Sequence, residues 1–399
     1  MNIPKYVKAN DLVTFRTGKL DSNAANPEGQ YPFFTCAQET YRINRYSFDT
    51  ECVLLAGNNA GGIFPLKFYK GKFNAYQRTY VIESRNPQSF DIKYFYFYLR
   101  PLLKAFEQQA TGAATKFLTL KILHNIPVPM LDIVSQKKIA AVLSAYDELI
   151  ENNKRRIALL EKLAEEIYRE WFVRRRFPGH EKVNFVKGRP ASWVRVRLGE
   201  MAHLTMGQSP PSSTYNDSGD GLPFHQGVGT YGDRFPRRIM FCTGNGRRAQ
   251  EGDILFSVRA PVGRLNIADS KMIIGRGLAA IRHKQGYNSY LYYVLKTVFA
   301  NEDIIGNGSI FNSVGKDELA KFELLQPDEQ LVESFETLAG KIDKQISILA
   351  FSVEYLTKAR DLLLPRLISG KLSVENLDIQ FPPGMMEELD QTSVPTHHA

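Results

Sequence analysis

A heptad pattern runs without interruption from Ser135 to Arg176 and constrains the fold of this chain more than any other feature. Its apolar positions are spaced alternately by four and three residues, and the stretch contains neither Gly nor Pro. This 3.5-residue period is typical of a coiled-coil seam. A helix of this length needs a partner for its apolar stripe, which either the same chain or a second molecule must provide.

A second heptad pattern, from Asp328 to Lys371, is the most economical partner. Arg360 interrupts its apolar positions, and Pro365 is expected to kink or end the regular helix. We therefore predict that the two helices pair as an antiparallel coiled coil within the chain. The predicted seam consists of Ile139, Leu143, Tyr146, Ile150, Asn153, Ile157, Leu160 and Ile167 on the first helix, and Phe335, Ile342, Ile346, Leu349, Val353 and Leu356 on the second.

The two halves of the chain are related by an internal repeat. Three segments recur in the same order, displaced by 199 or 196 residues: Lys72–Ile82 and Lys271–Ile281, Tyr94–Leu99 and Tyr290–Leu295, and the apolar residues Leu123, Ile126 and Val128 with Leu319, Phe322 and Leu324. Each match alone is weak, but their common order and nearly constant displacement indicate that one unit is used twice.

The repeat and the heptads together predict an α+β fold, with two mixed α/β domains separated by two long helices. Short apolar runs bounded by Gly, Asn and Pro indicate the strands of both domains. The predicted order is a first domain at 1–130, the first long helix at 131–176, a linker at 177–191, a second domain at 192–327, the second long helix at 328–372 and a disordered tail at 373–399.

Composition narrows the class of protein. No apolar run approaches the length of a membrane span, and the first residues lack the apolar core of a signal peptide. The three cysteines, Cys36, Cys52 and Cys242, form no CxxC pair, so we interpret them as free thiols of a cytoplasmic protein.

The net charge of +9 is concentrated in the two predicted domains. Residues 1–130 carry 16 Lys and Arg against 9 Asp and Glu, and residues 191–326 carry 16 against 12. A basic domain attracts polyanions, most often nucleic acid, although many proteins that bind none share a modest positive excess.

Catalytic motifs are missing from the sequence. It contains neither a GxxxxGK[ST] loop, nor HExxH, nor the Asn-Pro-Pro-aromatic motif of amino-methyltransferases. None of the seven histidines stands at metal-ligand spacing from a cysteine or carboxylate. We therefore expect no catalytic residue and no metal site in this chain.

Several loops instead carry side chains suited to reading DNA. Arginine can donate two hydrogen bonds to guanine or phosphate, and Asn and Gln match adenine. The candidates are Arg42, Arg45, Asn58, Asn59, Gln77, Arg78 and Lys116 in the first domain, and Arg234, Arg237, Arg238, Arg247, Arg248, Arg259 and Arg276 in the second. A solvated surface charge is the competing interpretation of each residue taken alone.

The repeated domains and paired heptads resemble the specificity subunit of type I restriction-modification systems. Met206–Pro211 and Gly252–Gly263 are similar to segments of that family's target recognition domains. Ile126–Pro129, followed by Gln136–Ile139, is similar to the entry into its spacer helix. The likeness covers nearly the whole chain except the tail.

The resemblance implies a subunit without chemistry of its own. Each target recognition domain would read one half of a split sequence in double-stranded DNA, and the helices would set the unread gap. Two modification (methyltransferase) subunits and two restriction (motor-nuclease) subunits would be its partners, and S-adenosylmethionine, ATP and Mg would belong to those partners. Candidate docking residues on the first helix are Leu149, Leu159, Leu163, Tyr168 and Phe172.

Two other classes remain open from the sequence. One is a stand-alone DNA-binding regulator with two reading heads, which would bind DNA tightly without partner subunits. The other is a nuclease or methyltransferase fused to recognition domains, against which the missing motifs argue.

Overall fold

A computed structural model describes residues 5–59, 62–110, 116–299, 304–305, 309–310 and 313–379. The chain divides into two compact units: residues 1–152 with 352–399, and residues 153–351. Each unit holds one globular domain together with part of both long helices.

The first long helix spans Ile133–Tyr168 and continues into a π-helical turn at Arg169–Val173. The second spans Glu329–Ile368. Pro365 does not end this helix, which was one of the two outcomes that the sequence predicted. Leu364, Leu367 and Ile368 are all buried in the core of the first unit, and this packing keeps the last turn helical beyond the proline.

In the first unit the two helices run antiparallel. Arg360 of the second helix donates to Asp147 of the first at 2.6 Å. One end of the first helix instead meets the segment that follows the second helix, where Lys138 Nζ donates to the carbonyl of Glu375 at 2.8 Å. Arg360, which interrupts the heptad in the sequence, therefore has a carboxylate partner across the seam.

In the second unit the helices are also antiparallel. Glu161 and Asp343 both approach Arg234, whereas Tyr168, further along the first helix, packs on Phe335, which is earlier in the second. The apolar cluster of this unit joins the seam residues Ile157 and Leu160 to residues of the second helix, among them Ile342 and Ile346.

None of the predicted seam residues is exposed. Most are buried, including Asn153 at 8% exposure. The half-buried seam residues are Tyr146, Ile157, Leu160, Ile167, Val353 and Leu356. Leu149, Leu159 and Leu163 are exposed, as the heptad predicts. Tyr168 and Phe172 were wrongly placed on the outer face, because both are buried against Trp193, Tyr290 and Phe335 of the second unit.

The first domain is built on a six-stranded sheet. All neighbouring strands are antiparallel except Tyr31–Phe34 and Leu66–Ala75, which are parallel. The strand order is Val13–Thr17, Thr79–Ser84, Phe48–Ala56, Leu66–Ala75, Tyr31–Phe34 and Tyr41–Ile43. The aromatic helix Ile92–Leu99 packs on this sheet and buries Tyr94, Phe95 and Phe97.

The second domain divides the same plan between two sheets. One has the order Ala202–Met206, Leu278–His283, Ile254–Ser257 and Leu265–Ile267. The other has the order Tyr215–Asn216, Phe241–Cys242, Leu222–His225, Met272–Ile274 and Arg248–Ala249. The helix Asn288–Val298 occupies the place of Ile92–Leu99.

The remaining elements are short. The short α-helices span Ala9–Leu12, Leu103–Gln109, Leu120–His124, Leu198–Met201 and Lys316–Lys321, and the 3-10 turns span Ser22–Ala24, Arg100–Leu102, His180–Lys182, Ser212–Thr214 and Val228–Thr230. The short strand pairs are Asn58–Asn59 with Lys116–Phe117, Phe185–Val186 with Arg189–Pro190, and Ile304–Ile305 with Ser309–Ile310.

Both repeats are closed by a strand pair that leads into a long helix. Lys5–Lys8 pairs with Pro127–Met130, and Val194–Arg197 pairs with Glu323–Gln326. Tyr94 donates to the carbonyl of Pro129 at 3.1 Å, and its repeat counterpart Tyr290 donates to that of Leu325 at 3.4 Å. The prediction of an α+β fold with a duplicated domain and antiparallel helices is confirmed.

The beginning of the predicted tail packs on the first unit. Val374 is buried, and Ile379 lies against the same core. The rest of the tail lies outside the described residues. Within the part of the chain that the structure describes, we find no helix that is both long and apolar enough to cross a membrane.

Candidate nucleic-acid interface

Two turns come together at the same place in each domain. In the first domain the amide of Gly57 donates to the carbonyl of Arg78 at 2.7 Å. In the second, the amide of Val258 donates to the carbonyl of Gly277 at 2.9 Å. These matching bonds make Asn58 equivalent to Arg259, and Gln77 equivalent to Arg276.

The first loop cluster consists of Asn58, Asn59, Gln77, Arg78 and Lys116. Asn58 and Asn59 pair with Phe117 and Lys116 in a short antiparallel ladder. Gln77 and Arg78 are exposed, and the other three are half-buried. Five of the seven candidates that the sequence suggested in this domain thus lie together, although they are far apart along the chain.

An exposed aromatic side chain stands beside these polar groups. Phe117 is 37% exposed, and the guanidinium carbon of Arg78 lies 5.9 Å from its ring centroid. Asn58 accepts a hydrogen bond from the Cys36 thiol at 3.0 Å. The first loop cluster can therefore donate hydrogen bonds through amides and stack through one ring.

The second loop cluster consists of Gln226, Arg259 and Arg276, all of which are exposed. They line a pocket of about 210 Å³ together with Gly227, Val228, Ala260 and Gly277. The two guanidinium groups supply forked donors, and the Gln226 amide supplies one donor group and one acceptor. This pocket can recognise flat, acceptor-rich groups such as base edges, and it can also bind phosphate.

A glycine allows the turns of the second loop cluster to approach each other. The Gly277 amide donates to the Gln226 carbonyl at 3.1 Å. A Cβ atom at Gly277 would lie only 2.5 Å from that same oxygen. Any other residue would push the Gln226 turn away and open the pocket.

The histidine behind this pocket carries no charge at neutral pH. His225 is fully buried, and its Nδ1 lies 2.9 Å from the Thr230 hydroxyl. Burial lowers the pKa of His225 to about 4. The positive potential of the second loop cluster therefore comes from its two arginines.

The remaining surface candidates do not line the pocket of the second loop cluster or pair with the residues of the first. Arg42 is exposed but donates to the carbonyls of Gly29 and Gln30, and Arg45 is exposed on the following turn. Arg237 donates to the Gly229 carbonyl, and Arg238 pairs with Asp269 at 2.8 Å.

Arg247 and Arg248 are exposed next to the strand Met272–Ile274. All six of these arginines remain open to solvent.

Arg234 does not belong among the DNA-contact candidates. Only 3% of its surface is exposed, and its guanidinium group contacts Glu161 and Asp343. Burial is the strongest single influence and alone would lower the pKa of Arg234, but the Asp343 carboxylate and the hydroxyls of Tyr292 and Tyr293 together raise it. The sequence suggested an exposed charge because the acids that neutralise it are distant in the chain.

The sequence reasoning missed Gln226 of the second loop cluster and Phe117 beside the first. Gln226 directly follows the strand Leu222–His225, but its repeat counterpart is Thr35, which was not a candidate, so an alignment of the repeats would not have identified it. Phe117 is adjacent to Lys116, and its residue type alone could not show that the side chain is exposed. Among the described residues, no group of three or more His, Cys, Asp or Glu side chains is arranged to hold a metal ion.

The duplicated fold and the two matching clusters define a protein with repeated recognition domains on paired helices. The family model for the type I restriction modification DNA specificity domain matches residues 5–162 and 190–348. The chain therefore belongs to this family.

Sequence relatives agree with that assignment. The chain is 32% identical over 261 residues to the putative type I restriction enzyme MjaX specificity subunit of Methanocaldococcus jannaschii. The matched region covers 63% of this chain and 61% of that protein. The chain is 40% identical over 159 residues to the type I restriction enzyme EcoDI specificity subunit of Escherichia coli, which covers 40% and 34%. The matches thus span about three fifths and one third of these relatives.

A crystal structure of the S subunit of a type I restriction-modification system from M. genitalium has the same fold. It superposes with a TM-score of 0.67 at 18% identity and covers 92% of this chain and 96% of that one.

Proposed function

We propose that this chain is the sequence-specific, DNA-binding specificity subunit of a type I restriction-modification complex. The observation that carries this proposal is the pair of loop clusters at equivalent places of two repeated domains. Each cluster groups exposed donors that match base edges, and each is held by a hydrogen bond between two turns. Each domain reads one half of a bipartite target.

The long helices set the unread gap between the two halves. Within each unit, the helices pair antiparallel through buried seam residues. A helix advances about 1.5 Å per residue, so the length of the pair defines a spacing along DNA.

The chain acts without catalysing a reaction and depends on partner subunits. Two modification subunits supply methyl transfer, and two restriction subunits supply the motor and nuclease. S-adenosylmethionine, ATP and Mg are bound by those partners. The exposed apolar residues Leu149, Leu159 and Leu163 on the first helix support protein docking there.

Mapping methylated bases in cells that carry the full chain and its modification subunits tests this function. We expect one bipartite motif with a single gap length, and no such motif when the chain is omitted. A matched pair of seven-residue insertions, after Asn152 and after Phe351, should widen the gap by about 3 base pairs.

A continuous methylated motif without a gap would contradict the proposal. So would a gap that stays unchanged after the double insertion. Tight binding of a bipartite site by the purified chain alone would favour the stand-alone regulator instead. Cleavage or methyl transfer by the purified chain alone would favour the enzyme.

A further inference from the structure

Arg234 joins three elements of the second unit through one buried side chain. Its Nη2 donates to Asp343 of the second long helix, and its Nη1 lies 3.5 Å from Glu161 of the first. The same Nη1 lies 3.5 Å from the Tyr293 hydroxyl, on the helix Asn288–Val298 of the domain. The guanidinium carbon also stands 4.6 Å above the ring of Tyr292. We call this arrangement the Arg234 clamp.

The clamp is continuous with the second loop cluster through the backbone. Gln226 and Arg234 lie on one connection, which a 3-10 turn at Val228–Thr230 and a bridge between Tyr231 and Pro236 make compact. The Arg237 amide donates to the Thr230 carbonyl at 2.7 Å, and the Ile267 amide donates to the Arg234 carbonyl at 2.8 Å. A movement of Arg234 would therefore be passed to the Gln226 side of the pocket.

A carboxylate occupies the equivalent place in the first unit. Asp147 precedes Asp343 by the same 196 residues that relate the two aromatic helices. Asp147 accepts from Arg100 at 2.8 Å, at the end of the domain's aromatic helix, and from Arg360 of the other long helix at 2.6 Å. In both units, an aspartate at this repeat position links the domain to the helix pair.

The two arginines of these ion pairs differ in burial and in the segment of backbone that carries them. Arg100 leaves 24% of its side chain exposed and extends from a helix end, whereas Arg234 leaves 3% exposed and extends from the connection that carries Gln226. Only in the second unit does the ion pair lie on the same connection as a residue of the loop cluster, as far as the described residues show.

We propose that Arg234 is a positioning residue for DNA recognition. It orients the second loop cluster on both long helices, so that the half-site read by the second domain lies at a defined place and at a defined gap from the other. This inference rests on the proposed function and adds to it a residue that touches no DNA.

The test compares methylation motifs produced by the full chain with its modification subunits. The variants are Arg234→Met, Arg234→Lys and Asp343→Asn, and Arg195→Met is the matched control because its pair with Glu323 is exposed in the same unit. For Arg234→Met, we expect methylation at sites with a wrong second half or a wrong gap to rise about tenfold relative to correct sites. Selectivity for the half-site that the first domain reads should stay unchanged.

Comparing Arg234→Lys with Arg234→Met separates an effect on positioning from an effect on folding. Arg234→Lys retains the charge but loses the fork that reaches both acids, so its selectivity should lie between those of Arg234→Met and the wild type. An unchanged motif, gap and selectivity in Arg234→Met would overturn the inference. So would an equal loss at all sites in both arginine variants, which indicates instability alone. Failure of the wild type to yield a bipartite motif would instead refute the proposed function.

Discussion

The two loop clusters share their backbone geometry and differ in chemistry. Where the first domain places the amides of Asn58 and Gln77, the second places the guanidinium groups of Arg259 and Arg276. Amides match the donor and acceptor edge of adenine, whereas guanidinium groups match the two acceptors of guanine. One duplicated scaffold can thus serve two different half-sites by changing side chains at two turns.

The same contrast extends beneath the surface. At the strand end behind each cluster, the amide of Tyr76 donates to the Phe34 carbonyl and that of Gly275 donates to the His225 carbonyl. Phe34 packs among apolar side chains, and His225 forms a polar contact with Thr230. The buried side chain at this strand end is therefore apolar in the first domain and polar in the second.

The largest effect should follow from exchanging a whole domain. Replacing residues 192–327 with the corresponding domain of another family member should replace one half of the methylated motif and leave the other half intact. Specific and non-specific DNA binding differ by a factor of about 10³ or more, so the change of motif should be complete. Methylation mapping measures the result, and exchange of residues 1–130 is the reciprocal control. A new motif in both halves would show that the domains do not read independently.

A smaller effect should separate the two clusters residue by residue. Arg276→Ala should weaken discrimination at one base pair of the second domain's half-site by about 1–3 kcal/mol, because a forked contact to one base is lost. Gln77→Ala should do the same in the other half-site. Comparing methylation at all single-base variants of the motif measures both effects.

Arg276→Lys and Gln77→Glu are the matched variants, since each keeps a side chain of similar length and changes its hydrogen-bonding groups. We expect a guanine preference to relax in the first case and an adenine preference in the second. A uniform loss over every variant would instead indicate contact with phosphates, and the comparison between the clusters would then concern charge alone.

The sequence predicted the helices and the repeat because both depend on periodic patterns. Apolar residues such as Ile139 and Ile346 recur at a fixed spacing, and the seam follows from that spacing. The end of the second helix was less predictable. Pro365 signals a break locally, but burial of Leu367 and Ile368 in the first unit outweighs it.

The loop clusters were only partly predictable. Residue type alone suggested Asn58, Gln77, Arg259 and Arg276, but it could not distinguish them from Arg234. The difference is the tertiary neighbourhood. Glu161 and Asp343 are separated from Arg234 by many residues of chain, and only the folded helix pair brings both to it.

The smallest effect should appear in the pH dependence of stability, at the position where His225 in the second domain replaces Phe34 of the first. Because burial lowers the folded-state pKa of His225 to about 4, the unfolded chain binds a proton more readily than the folded one. The histidine's contribution is therefore constant well above pH 7, and stability is lost as the pH falls below about 6.5.

This predicts that the wild type loses about 1 kcal/mol of unfolding free energy between pH 8 and pH 6 relative to His225→Phe. Urea unfolding of the full chain at several pH values, followed by a signal from the second unit, measures the difference. Phe is the matched replacement because the first domain carries it at the equivalent position. A constant difference between the two proteins over this range would mean that His225 titrates normally and that its ring is open to water.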